Sequence, residues 1–113
     1  MITTTSTYAI GISGKRYDFN DVHEIGIAYK TLAGVYMFLI EGINGMWIAV
    51  YVGECVDFNE RLNVNLTNHH RWQCIKNRGA THIATLHVPG DRQVRLDIET
   101  DLREALNPTC NRQ

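Results

Sequence analysis

Two apolar runs dominate the middle of the chain, GVYMFLI over 34–40 and MWIAVYVG over 46–53, and only Glu41-Gly42-Ile43-Asn44-Gly45 separates them. Runs of this length, rich in β-branched and aromatic residues and bounded by a Gly/Asn turn, predict two antiparallel strands joined as a hairpin. Upstream, Thr7–Ile12 and Lys15–Phe19 flank Ser13-Gly14 and predict a second β-hairpin. A short helical piece over 22–31, opened by Asp21, is expected next, although Gly26 weakens it. Past Gly53, which is read as the end of its strand, Asp57 followed by Glu60 gives a box-like helix start. Phe58, Leu62 and Leu66 recur at i, i+4 and i+8 as one buried stripe. A second helix from Thr67 or Asn68 to Asn77 or Arg78, closed by Gly79, and a strand over 81–88 follow. Pro89-Gly90 turns the chain, and Asp91 caps a final helix over 92–106 with an apolar stripe of Val94, Ile98, Leu102 and Ala105. Glu99 falls at the edge of that stripe beside Leu102 and Leu106, half inserted toward the core.

These elements predict one α+β domain. A small three-stranded antiparallel or mixed sheet is flanked by helices over 34–113, and an extra N-terminal hairpin over 1–33 packs on it. A length of 113 residues, 44% apolar and 20% charged, suits a single ordinary core. The longest apolar run falls far short of a membrane span, so no membrane partner is expected. The N-terminal MITTTSTYAIG lacks the basic-then-apolar pattern of a signal peptide. Cys55, Cys74 and Cys110 are odd in number and lack CxxC spacing. They read as reduced thiols in a cytosol-like compartment, and a cytoplasmic, intracellular location is expected.

Charge distribution changes the picture more than its total of −1 does. Residues 1–60 set Lys15, Arg16 and Lys30 against seven acids, whereas residues 61–90 hold Arg61, Arg71, Lys76 and Arg78 and no acid. Four of the five histidines, 69, 70, 82 and 87, fall in the same acid-free window. Such a window suits a local basic surface facing phosphate. His69, His70, Arg71 and Trp72 suit a basic, aromatic-flanked surface for phosphate or a stacked base.

Within this layout Gly34-Val35-Tyr36 and Tyr51-Val52-Gly53 lie on the two paired strands. Arg61 follows eight residues after Gly53, and the chain ends with Glu99-x-x-Leu102, Pro108 and Asn111. In order and spacing this set resembles the GIY-YIG nuclease family over about residues 34–111. The resemblance implies a metal-dependent endonuclease acting on DNA, with Tyr36, Tyr51, Arg61, Glu99 and Asn111 as its catalytic set. Glu99 would hold one divalent ion, Mg²⁺ or Mn²⁺, completed by water and substrate phosphate. Arg61 would grip the scissile phosphate with its planar fork. Tyr36 would accept the proton of the attacking water, Tyr51 would orient water or phosphate, and Asn111 would tie the C-terminal end to the site. Arg61, His69, His70, Arg71, Lys76 and Arg78 are the expected nucleic-acid contacts. The reading requires Tyr36, Tyr51, Arg61 and Glu99 to converge on one concave basic surface.

Two positions depart from the family pattern. Glu54 follows Gly53 where members often carry Ser, Gln or Lys; it would either repel phosphate or serve as an auxiliary metal ligand. Asn65 stands one turn after Arg61, where some members carry His or Lys. The alternative function is a catalytically weak module of the same fold that docks nucleic acid or protein. The acidic N-terminal region, with an exposed hairpin edge, could supply a homodimer or protein-partner contact.

Overall fold

A computed structural model describes residues 5–112, Thr5 through its backbone alone; residues 1–4 of the proposed N-terminal extension and Gln113 lie outside the described residues. Five strands form a single sheet: β1 (Thr5–Ile10), β2 (Arg16–Glu24), β3 (Gly34–Glu41), β4 (Trp47–Cys55) and β5 (His82–His87). Their order is β1-β2-β5-β3-β4, and every neighbouring pair is antiparallel. The α+β class holds, and the expected three-stranded sheet is corrected to five. The N-terminal hairpin is no appendage, because β2 pairs with β5 from Asp21↔Thr85 to Glu24↔His82. That pairing also replaces the helix expected over 22–31. Its first residues continue β2, and Gly26 then takes a left-handed turn at φ 103°.

β3 lies inside the sheet, and its first six residues are all buried. This explains the unbroken apolar run at 34–40: a strand covered on both faces needs no polar alternation. On one face Phe19, Val35, Met37, Leu39, Val52 and Ala84 pack with Leu102 of the long helix α2 (Arg92–Leu106). On the other, Tyr36, Phe38, Tyr51 and Ile83 pack with Phe58, Leu62, Leu66 and Ile75. The second group comes from the 57–78 segment and from the short helix α1 (Trp72–Asn77). The molecule is thus three layers with the sheet in the middle.

Local details refine the expected elements. Asp57 Oδ1 accepts the Glu60 N–H at 3.1 Å, so the capping signal is real. The segment it opens widens at once into a π-helical turn, Glu60–Val64, closed by Asn65 N–H to Glu60 C=O at 2.8 Å. The predicted stripe survives this change, since Phe58, Leu62 and Leu66 are all buried. The second helix is shorter than expected, a 3₁₀ turn at Leu66–Asn68 preceding α1. α2 matches its predicted span, and Asp91 Oδ1 accepts the Val94 N–H at 3.2 Å. Leu102 of its predicted stripe is buried and Ile98 packs on the core, but at the helix start Arg95 is 3% exposed and Val94 is 44% exposed. β4 runs past Gly53 to Cys55, which places Glu54 within the strand.

Candidate active site

β4 is an edge strand, and the candidate site wraps around its open side. By strand alternation Tyr51 shares a face with Tyr36 and Phe38, while Val52 and Glu54 turn to the α2 face. The C-terminal tail crosses between the two faces. A 3₁₀ turn, Thr109–Asn111, brings Asn111 against Val52, whose N–H donates to Asn111 Oδ1 at 2.8 Å. Asn111 Nδ2 donates back to the Val52 carbonyl at 2.9 Å. The amide side chain thereby acts as one residue of a sixth strand.

A cavity of about 290 Å³ opens here, bordered by Tyr51, Arg61, His70, Arg71 and Asn111 on one side and by Glu54, Arg92, Glu99 and Arg103 on the other. Tyr51, Arg61, Glu99 and Asn111 of the expected set therefore meet on one concave surface, as do His70 and Arg71. Tyr36 does not border it. Its ring is fully buried behind Tyr51, ring centroids 6.1 Å apart. Lys76 and Arg78 are exposed at the end of α1 and take no part in the cavity wall.

Burial pushes the Tyr36 hydroxyl well above the usual phenol range and Tyr51 adds to this, while the Arg61 guanidinium pulls it down. His69, also buried, sets the hydrogen bonding around it. The Arg71 N–H donates to His69 Nδ1 at 3.0 Å, so the neutral ring carries its proton on Nε2. That nitrogen donates to the Tyr36 oxygen at 2.7 Å. Burial, reinforced by His70, Arg61 and Arg71, lowers His69 to about 4 and keeps it neutral near pH 7. His69 is thus a donor behind the site and not a surface contact for phosphate. His70 stacks on it, ring centroids 4.9 Å apart, and stays exposed.

Tyr51 is raised by burial and by Glu99, and lowered by Arg61, Arg71 and Arg103. Glu99 is raised mainly by burial, which Arg103 opposes from 3.8 Å away. Its side chain is 17% exposed. Glu54 is engaged differently. One oxygen accepts from Arg92 Nε and the other from Arg95 Nε, each at 3.1 Å. Two guanidiniums neutralise it, so neither expected role, phosphate repulsion or metal ligation, fits its contacts. Glu99, whose ion pair to Arg103 is the longer contact at 3.8 Å, is the other carboxylate bordering the cavity. Among the described residues no group of three His, Cys, Asp or Glu side chains is assembled for a metal. A single half-buried carboxylate beside open space fits an ion that keeps most of its water.

Arg92 and Arg103 are the wall residues that the basic window at 61–90 does not contain. They stand seven residues before and four after Glu99, spacings that place all three on one side of a helix. That periodicity was the available signal for them.

The cysteines correct another expectation. Cys74 of α1 and Cys110 beside Asn111 form a disulfide, and Cys55 is free and buried, its thiol pushed up to about 11 by burial. The premise of three reduced thiols behind the cytosol-like reading is therefore lost. Among the described residues no helix is long and apolar enough to cross a membrane. Comparison with protein-family models, curated proteins and solved structures yields no match to this chain.

Proposed function

We propose that the chain is a divalent-metal-dependent DNA endonuclease of the GIY-YIG type, cutting phosphodiester bonds at the β4-edge cavity. The observation that carries this reading is the meeting of Tyr51, Arg61, Glu99 and Asn111, distant in sequence, on one arginine-rich wall. Hydrolysis requires a nucleophilic water, an acceptor for its proton and positive charge around the phosphoryl oxygens. Arg61 and Arg71 supply that charge from one side and bind the scissile phosphate. Tyr51 is the phenol that can meet the attacking water, because Tyr36 lies behind it without access to the cavity. To accept the water's proton it must first release its own to solvent, which Arg61, Arg71 and Arg103 favour and a bound cation would favour further. Tyr36 and His69 form the backing that positions Arg61 and Tyr51. Asn111 holds the strand edge on which Tyr51 stands. Glu99 would hold Mg²⁺ or Mn²⁺; when bound, the ion would supply Lewis-acid polarisation of phosphate and water.

Glu99→Ala is expected to abolish Mg²⁺-dependent nicking of supercoiled plasmid. Tyr51→Phe should slow it by about 100-fold or more, the scale of a lost general base. Nicking by Glu99→Ala at the parent rate would overturn the reading.

The complete burial of Tyr36 favours one other reading, a cleft that binds nucleic acid without cutting it. DNA binding retained with no Mg²⁺ or Mn²⁺ bound near Glu99 would support that second reading.

A further inference from the structure

Glu54, Arg92 and Arg95 form an arrangement that the proposed chemistry leaves unused. Arg95 is enclosed, its side chain 4% exposed, and it donates through Nε to Glu54 and through Nη1 to the Gly90 carbonyl at 3.0 Å. It fastens the start of α2 to β4. Arg92 shares the same carboxylate but is 71% exposed and borders the cavity. Only its Nε is held; its two terminal nitrogens make no hydrogen bond to any described residue. A free surface arginine samples many rotamers, whereas this one is tethered at its neck with donors left open. Open guanidinium donors of this kind are the fork that recognises a phosphate.

Arg92 precedes Glu99 by seven residues, about 10 Å along the helix axis. Both residues border the same cavity, and that offset leaves room for a phosphate at Arg92 beside the one at Glu99. Glu54, already neutralised by two arginines, brings no unbalanced negative charge to such a ligand.

We propose that Arg92, clamped through Nε by Glu54, binds a backbone phosphate adjacent to the scissile one, and that Glu54 is the positioning residue that sets its guanidinium. The inference rests on the reading of the cavity as a nucleic-acid site.

The test is equilibrium binding of the full chain to a short DNA duplex in EDTA, over a series of salt concentrations. Arg92→Ala should weaken binding about tenfold, the scale of one charge-assisted contact, and reduce the slope of log K against log salt by about 1. Arg92→Lys should restore the slope but not the affinity, since lysine cannot be held at its neck while presenting a fork. Glu54→Gln should weaken binding too, and the double variant should bind no worse than Arg92→Ala alone. Additive losses would overturn the positioning role, as would full recovery of affinity by Arg92→Lys. Arg92 is exposed, so its variants test the contact even if Glu54→Gln fails to fold. If the parent binds and nicks DNA while Arg92→Ala matches it in affinity and slope, this inference alone falls. If the parent binds no DNA at any salt, the inference and the nuclease reading fall together.

Discussion

Both glycines of the tyrosine motif are required by space rather than by backbone angle. A Cβ on Gly53 would sit 2.5 Å from the Tyr36 hydroxyl and 2.8 Å from the Tyr51 ring. A Cβ on Gly34 would run into the Leu86 carbonyl oxygen and the Phe58 ring. The residue between the motif and its chemistry is His69, whose charge is excluded by burial. Its value falls from 6.5 to about 4 on folding, so between these limits the unfolded chain binds the extra proton. Stability contributed by this ring is therefore complete above about pH 6.5 and declines as pH falls toward 4, by at most about 3 kcal/mol. Urea unfolding across this range should show the decline in the parent and a shallower one in His69→Gln. Equal pH slopes in the two proteins would contradict the burial argument. Nothing in the sequence distinguishes His69 from its exposed neighbour His70, because only packing against Tyr36 and Phe38 separates them.

At the level of elements, α2 is legible in extent, whereas the expected helix over 22–31 is strand and turn and the two between Asp57 and Arg78 are shorter or wider than their signals predict. α2 begins at its Asp91 cap and ends where Asn107 adopts φ 45° before Pro108, as its end signals predict. Its core face follows the predicted stripe at Ile98 and Leu102 and departs only at its first residue, where hydropathy favours Val94 over Arg95. The ion pair to Glu54, a residue 41 positions away, turns Arg95 inward instead. The edge of β4 is closed by one side chain. Asn111 matches a strand edge because it carries a donor and an acceptor at the right separation. Asn111→Ala should cost about 1–2 kcal/mol by leaving the Val52 N–H and carbonyl unpaired. Asn111→Asp should be no better, since a carboxylate would face that carbonyl. Thermal unfolding of both variants measures this, and a fully stable Asn111→Asp would show that the reciprocal pairing is unimportant.

Across the whole molecule, the tail that carries Asn111 is secured by the Cys74–Cys110 disulfide. The cross-link closes a loop of 36 residues that includes β5 and α2. Restricting an unfolded loop of that length is worth about 3–4 kcal/mol on the chain-entropy account. Reductant should therefore lower the urea midpoint of the parent and leave a Cys74→Ala/Cys110→Ala double variant unmoved. An unchanged parent midpoint would mean that the bond does not hold the tail. The charge pattern also acts at this scale. A chain of net charge −1 places Arg61, Arg71, Arg92 and Arg103 around one cavity, because elements from both sheet faces meet at a single edge.

Periodicity, capping residues and turn glycines determine the α+β class, the two hairpins and the span of α2, since each is a local preference of the backbone. Through their resemblance to a known motif, order and spacing also nominate Tyr36, Tyr51, Arg61, Glu99 and Asn111 as a candidate set. Only the tertiary structure decides that β2 joins β5 to make five strands, that Cys74 meets Cys110, and that Glu54 is neutralised by Arg92 and Arg95. It alone puts Tyr51 at the cavity and Tyr36 behind it. These are long-range contacts between segments whose local sequences carry no record of one another. Which partner each segment finds depends on how the whole sheet is ordered and which of its edges is left open.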